Sequence, residues 1–133
     1  MKDYQPTKNN PYVLPKSLYE RVLSVIRDYD RRKEEYNDIL YGGSAPYSDG
    51  VNRKSRAAQD PTADKAARRE KISFELHAVD QSLRIVPREY RDGVMANIKH
   101  PRSGYTWEHA HRNTYVYWKS RFIYTVAQRL ELW

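Results

Sequence analysis

The last helical stretch of the sequence carries side chains that commonly contact nucleic acid. It reads HRNTYVYWKSRFIYTVAQRL at residues 111–130, where aromatic rings are interleaved with basic residues. If the regularly spaced rings pack inward, the side chains left outside at its start are Arg112, Asn113, Thr114, Tyr117 and Arg121. Arginine binds guanine or phosphate, asparagine pairs with adenine, and hydroxyl groups reach phosphates. Because the N-terminal end of a helix also favours anions, this pattern predicts a recognition helix of the helix-turn-helix type.

The same helix also has an interpretation as part of the core. Its expected buried stripe follows steps of three and four residues and comprises Tyr115, Trp118, Phe122, Val126 and Leu130. We assign Trp118 and Phe122 to the core. Asn113, where we expect the helix to start, is a good N-cap residue, since its side-chain oxygen can accept a backbone N–H of the first turn. The sequence leaves open whether Asn113 caps the helix or contacts a base.

Histidines near this helix raise the question of a metal site or a nuclease centre. His109 and His111 are two positions apart, next to Glu108. Positions two apart on a helix point to different faces, and no HExxH spacing or second cluster completes a tetrahedral site. Paired carboxylates at a workable spacing are missing, and the chain has no cysteine for thiol chemistry. We therefore predict no metal, no cofactor and no enzymatic activity.

Helices alone are expected to position these side chains, because no β-like alternation of useful length occurs. Apolar periodicity predicts helices over residues 16–41, 61–86, 87–99, 107–110 and 113–130. Asp60-Pro61-Thr62 gives the second helix a well-formed start, with an N-cap acceptor followed by proline. The predicted fold class is all-α.

The predicted helices suggest three segments. Residues 1–15 would form an extended N-terminal arm, residues 16–86 a long antiparallel helical hairpin with a loop at 42–60, and residues 87–133 a helix-turn-helix-like DNA-binding region. Acids and bases are equal in number over residues 16–41, which favours homo-oligomerisation or a protein partner for the hairpin rather than DNA. Arg32 interrupts the apolar seam of the hairpin and would fix its register or its choice of partner.

The net charge of +7 is unevenly distributed. Residues 87–133 hold eight basic and four acidic residues, so they contribute +4 of this excess. A concentrated positive field attracts a polyanion, and nucleic acid is the partner that we expect. No apolar run approaches the ~18 residues of a membrane span, and the N-terminus lacks the apolar region of a signal peptide. These features predict a cytoplasmic protein with no membrane partner.

Three stretches of the chain resemble the RinA and ArpU group of phage-encoded transcriptional regulators. IVPREYRDGVMANI, Trp107 and RNTYVYWKSRFIYTVAQRL are similar to the C-terminal helix-turn-helix of that group, which itself is similar to region 4 of bacterial sigma factors. DPTADKAARREKI and YDRRKEEYNDILYGG also resemble segments of such prophage proteins. The resemblance implies control of late phage genes in the bacterial cytoplasm, by binding double-stranded DNA near a promoter and contacting RNA polymerase. It assigns the recognition-helix role to Arg112, Asn113, Thr114, Tyr117 and Lys119.

Two other functions fit the sequence. A small phage packaging subunit, similar to a small terminase, would use the helical hairpin to build a ring and its basic helices to track DNA without reading sequence. RNA binding through exposed tyrosines is a further alternative, because stacking surfaces also combine aromatic and basic residues.

Overall fold

The computed structural model describes residues 5–41, 61–101 and 111–133 of the 133-residue chain. Five helices lie in these ranges: α1 (Lys16–Arg27), α2 (Tyr29–Leu40), α3 (Pro61–Leu83), α4 (Arg88–Lys99) and α5 (Arg112–Arg129). No strand occurs in them, so the predicted all-α class is confirmed. Within these ranges no helix is long and apolar enough to cross a membrane. The predicted loop at 42–60 and the short helix at 107–110 fall outside the described residues.

The first predicted helix is interrupted at Asp28, between α1 and α2. The backbone stays close to helical there, because the Asp28 N–H donates to the Ser24 carbonyl at 3.0 Å and the Arg32 N–H donates to the Asp28 carbonyl at 2.9 Å. The Asp28 carboxylate accepts two hydrogen bonds from Arg31, and these hold the pKa of Asp28 below its usual range. The break separates a helix that packs against α4 and α5 from one that packs chiefly against α3.

One hydrophobic core joins α1, the C-terminal half of α3, α4 and α5. Its buried helical side chains are Tyr19, Val22, Leu23, Ile26, Ala78, Val79, Val94, Ile98, Tyr115, Phe122, Ile123, Val126 and Ala127. Helix α5 is central because it packs against α1, α3 and α4. Leu14, from the segment before α1, is also buried in this core. Residues from all three predicted segments therefore share one core, while the division into separate domains stays a prediction.

Helices α2 and α3 run antiparallel, as the predicted hairpin requires. Tyr29 donates its hydroxyl hydrogen to Asp80 at 2.6 Å, Arg32 donates to Glu75 at 2.7 Å, and Arg68 donates to Glu35 at 2.7 Å. Along this series the residue number rises on α2 and falls on α3. Burial, followed by the hydrogen bond to Asp80, raises the pKa of Tyr29.

Arg32, which interrupts the apolar seam of the hairpin, forms ion pairs with residues of the same chain. Its guanidinium binds Glu75 of α3 through two nitrogen atoms, at 2.7 and 3.0 Å, and also contacts Glu35 at 3.1 Å. The hydrogen bond from Arg68, together with the nearby charge of Arg32, keeps the pKa of Glu35 below its usual range. Because Arg32 joins α2 to one position on α3, it can fix the register of the two helices.

Replacing Arg32 with methionine should lower the free energy of unfolding by about 1–2 kcal/mol, between the values typical of buried and exposed ion pairs. The Arg32 and Glu75 side chains are only 19% and 23% exposed, so the change leaves a half-buried carboxylate without this partner. Methionine has a helix propensity close to that of arginine, which isolates the loss of the ion pair. Urea denaturation monitored by circular dichroism measures the change.

Arg31→Met is the matched control. The Arg31 side chain is 64% exposed, and its salt bridges within the described ranges are to Asp28 and Glu35, three and four positions away along the chain. Its replacement should change stability much less than that of Arg32, because exposed pairs within a helix are screened by solvent. Equal effects of the two substitutions would show that Arg32 contributes no more than a surface charge.

Candidate nucleic-acid interface

Helix α5 begins one residue earlier than the sequence predicted. His111 occupies the N-cap position, and its Nδ1 accepts a hydrogen bond from the backbone N–H of Asn113 at 3.1 Å. Of the two roles that the sequence left open for Asn113, the structure therefore does not use the cap. Asn113 instead lies in the first turn with an exposed side chain. A neutral imidazole can accept at Nδ1, which is how histidine takes over a role more often played by serine, threonine, aspartate or asparagine.

No acidic residue occurs in α5. Over its 18 residues, the helix carries four basic residues: Arg112, Lys119, Arg121 and Arg129. Arg112 is exposed in the first turn, where the helix dipole adds further positive potential. Arg129, at the other end, donates to the neutral side chain of Gln81 at 2.7 Å, a contact that leaves its charge in place. The helix therefore presents positive charge along its length.

Hydrogen bonds of two side chains, Gln5 and Asn10, hold a turn in the described part of the segment before α1. The Gln5 side-chain amide binds both backbone groups of Leu14: it donates to the carbonyl and accepts the N–H, the latter at 3.0 Å. Asn10 donates to the Pro6 carbonyl at 2.7 Å, and its Oδ1 accepts the Tyr12 N–H at 2.9 Å. This last contact is an asparagine turn, which the chain adopts next to proline without needing a helix or strand. We call residues 5–15 the arm.

The arm packs against the face of α5 that carries Tyr117, Ser120 and Tyr124. The Tyr12 ring lies edge-to-face with Tyr117 at 6.0 Å and with Tyr124 at 5.5 Å between ring centroids. Asn10 also donates to the hydroxyl of Ser120 at 3.4 Å. Positions 117, 120 and 124 share one helical face, roughly opposite the buried positions 115, 122 and 126. The arm therefore covers this face of α5, while Leu14 of the same arm reaches into the core.

Arg121 joins the rings of the arm and of α5 into one cluster. Its guanidinium carbon lies 5.4 Å from the Trp118 ring centroid and 5.8 Å from that of Tyr12. It also donates a hydrogen bond to the Tyr117 hydroxyl oxygen at 3.3 Å. We call Tyr12, Tyr117, Trp118, Arg121 and Tyr124 the Tyr12 cluster. Its rings and its cation hold one another in place at the protein surface.

The predicted DNA-binding residues fall into three places on α5. Arg112, Asn113 and Thr114 lie in the first turn, where Thr114 is half-buried and the other two are exposed. Tyr117 and Arg121 belong to the Tyr12 cluster. Lys119 lies four residues after Tyr115 and three before Phe122, so it is on the core side of the helix, where it is half-buried. Lys119 shares the helical face of Arg112, because the two are seven positions apart, but it lies two turns further along the helix.

Sequence reasoning missed the contribution of the arm to this surface. Tyr12 and Asn10 contact α5 across more than 100 residues of sequence, since Asn10 and Ser120 are 110 positions apart. Asn10-Pro11 does signal a turn, because asparagine before proline favours turn initiation. The apolar pair Val13-Leu14, in a segment otherwise rich in polar residues and proline, was the second available signal. Neither signal says which helix receives the arm.

Comparison with known proteins identifies no relative of this chain. No protein-family model matches the chain, and no curated protein or solved structure matches it either.

Proposed function

We propose that this chain is a DNA-binding transcriptional regulator that docks the first turn of α5 in a groove of double-stranded DNA. The observation that carries the proposal is an acid-free helix whose N-terminal turn exposes Arg112 and Asn113. His111 supplies the cap, which leaves the Asn113 side chain available for a base edge. The resemblance to phage regulators supports a role in late-gene control, with RNA polymerase as a second partner.

The position of the arm explains why the first turn is the part of α5 proposed to enter the groove. The major groove is about 12 Å wide and accepts a helix of about 10–12 Å diameter. Beside Tyr117 and Ser120, however, the arm lies against the outward face of the helix and adds to its width. Arg112, Asn113 and Thr114 precede these contacts, so they can approach bases and phosphates while the rest of α5 stays outside.

Replacing Arg112 with glutamate tests this function. We expect duplex DNA affinity to fall by at least about tenfold at moderate salt, or about 1.4 kcal/mol, because a phosphate contact is replaced by repulsion. The slope of log affinity against log salt should also become shallower by about one. An acidic residue in the first turn of a helix is favourable to the helix dipole, so the fold should be retained. Fluorescence anisotropy with a labelled duplex, measured over a salt series, gives both quantities.

Arg69→Glu provides the same charge change at a distant position. Arg69 is exposed on α3, outside the proposed interface, and its reversal should alter affinity only through the smaller net charge. If the two reversals weaken binding equally, DNA contacts the protein through its overall charge and α5 has no special role. If neither has an effect, the proposed interface is wrong.

A second candidate function is a phage assembly or DNA-packaging protein that forms an oligomer through the hairpin. Leu40 and Tyr41, at the end of α2, are 38% and 76% exposed, and α2 has no fully buried residue along its described length. Such a hairpin offers apolar surface to another copy of the chain. Light scattering separates the candidates: a large ring that binds DNA without sequence preference favours assembly, whereas a monomer or dimer that protects one promoter region favours the regulator.

A further inference from the structure

The Tyr12 cluster is a preorganised surface of aromatic rings. Tyr117 is 44% exposed even though its ring lies only 5.0 Å from that of Trp118, at an interplanar angle of 78°. The backbone N–H of Tyr12 donates a hydrogen bond to the Asn10 side chain, and Leu14 anchors the arm in the core. A ligand that packs against Tyr117 would therefore meet a ring that is already held in place, with little ordering to offset its binding energy.

The cluster also carries positive charge. In the described part of the chain, Arg121 contacts two rings and a hydroxyl group but forms no ion pair with a carboxylate. Helix α5 contributes no acidic residue, and the exposed Lys8 lies in the turn of the arm. A guanidinium beside aromatic rings, of which Tyr117 is the exposed one, is a combination on which single-stranded nucleic acids bind, with a base on the ring and a phosphate near the cation.

A double helix does not fit this cluster as well as a single strand does. Bases in a duplex already stack on one another, so a tyrosine ring can reach a base face only where the base is unpaired. The arm also keeps this part of α5 from sinking into a groove, as the contacts of Tyr12 and Asn10 show. An acidic protein partner could pair with Arg121, but it would gain nothing specific from the exposed ring of Tyr117 beside that charge.

We propose that the Tyr12 cluster is a stacking site for unpaired bases of a single-stranded nucleic acid. The inference rests on the proposed nucleic-acid binding of α5 and adds a second class of ligand to it. Tyr117 provides the ring on which a base stacks, and Arg121 provides charge for the neighbouring phosphate. Tyr12 positions both residues from the arm. The cluster lies beside the first turn of α5, so one nucleic acid could contact both places where duplex and single strand meet.

The test measures binding of the full chain to three fluorescein-labelled probes of the same mixed sequence: single-stranded DNA, single-stranded RNA and duplex DNA. Tyr117→Leu removes the ring and keeps an apolar side chain, whereas Tyr117→Phe keeps the ring. Tyr41→Leu is the matched control, because Tyr41 is 76% exposed and lies at the far end of α2. Circular dichroism and thermal unfolding confirm that each variant is folded.

We expect Tyr117→Leu to weaken binding to at least one single-stranded probe by about tenfold, within the range of losses typical for one stacked base. Tyr117→Phe and Tyr41→Leu should each stay within about twofold of the original affinity, and duplex binding of Tyr117→Leu should change as little. Which single strand shows the loss identifies DNA or RNA as the source of the unpaired base.

Three results would overturn the inference. The first is an unchanged affinity of Tyr117→Leu for both single strands, and the second is an equal loss with Tyr41→Leu. The third is an equal loss on duplex DNA, which would make Tyr117 part of the duplex interface. In each of these cases duplex binding by the original chain still supports the proposed function. If the original chain binds none of the probes, the proposed function falls together with the inference.

Discussion

Replacing Phe122 with alanine is expected to lower the free energy of unfolding by about 3–5 kcal/mol, the usual loss for a buried phenylalanine. The side chain is fully buried in the middle of α5, the helix that packs against α1, α3 and α4. Three neighbouring elements therefore border the space that the ring would vacate, and they cannot all move inward to fill it. Both the lost burial and the remaining cavity contribute to the destabilisation.

The chain contains a second phenylalanine that serves as the control. Phe74, on α3, is 46% exposed, and its replacement by alanine should change stability by less than about 1 kcal/mol. Urea denaturation of both variants, followed by circular dichroism, measures the difference. Equal losses would contradict the central position of Phe122 in the core.

The Phe122→Ala variant also tests whether the chain unfolds as one unit. Buried residues of α1 and α3 share the core with those of α4 and α5, which predicts a single cooperative transition that shifts to lower urea concentration. If residues 16–86 and 87–133 were independent domains, the variant would show two transitions, and only one of them would move. The number of transitions therefore shows whether these two segments unfold together or independently, which helix periodicity alone cannot show.

The helices could be predicted from the sequence because interactions between neighbouring residues determine them. The steps of three and four residues in α3, α4 and α5 predicted these helices, since an apolar stripe needs only the periodicity of the helix itself. Tyr115, Phe122 and Val126 are buried as this stripe requires. Trp118, assigned to the core by the same reasoning, is half-buried and packs at the edge of the core instead.

Two local details could not be read from the periodicity. The apolar stripe passes through position 28 without a change of phase, yet the helix is interrupted there because α1 and α2 pack against different partners. At the start of α5, His111 and Asn113 are both able to cap a helix, and the structure uses His111. The periodicity marks which positions face the core, and it does not say which residue interrupts or caps a helix.

The candidate interface was predicted in part. The composition of α5 indicated its cationic first turn, because the absence of acids and the position of Arg112 are properties of the sequence itself. The arrangement of Tyr117 and Arg121 was not predicted, because it depends on Tyr12, which lies more than 100 positions away along the chain. Only folding brings the arm to the outward face of α5, and no local pattern encodes that contact.

Three parts of helix α5 therefore have different surroundings. Its first turn is exposed, its inner face completes the core, and its outer face supports the arm. A substitution on the inner face should act on stability, while one in the first turn should act on binding. A substitution on the outer face should affect both stability and binding, because the position of the Tyr12 cluster depends on how firmly the arm is anchored.

Leu14→Ala is expected to release the arm and to lower the free energy of unfolding by about 2–4 kcal/mol, as for other buried leucines. Leu14 is 2% exposed and is the only residue of the described part of the arm that belongs to the buried core. Without its anchor, the arm is held on α5 by the hydrogen bond from Asn10 to Ser120 and by the contacts of the Tyr12 ring with Tyr117, Tyr124 and Arg121. Each of these contributes only about 0.5–1.5 kcal/mol, so they should not keep the arm docked all the time.

Hydrogen exchange distinguishes loss of the anchor from a general loss of stability. The backbone N–H groups of Tyr12 and of residue 14 donate to Asn10 and Gln5 side chains, and in the variant they should exchange much faster than amides in the middle of α5. Leu40→Ala is the matched control, because Leu40 is 38% exposed at the end of α2, far from the arm, and its variant should leave these two amides protected. If the arm amides and the α5 amides of Leu14→Ala accelerate together, the arm and the core open as one unit. Tyr12 would then be as firmly placed as the core itself, and the position of the Tyr12 cluster would not depend on a separate anchor.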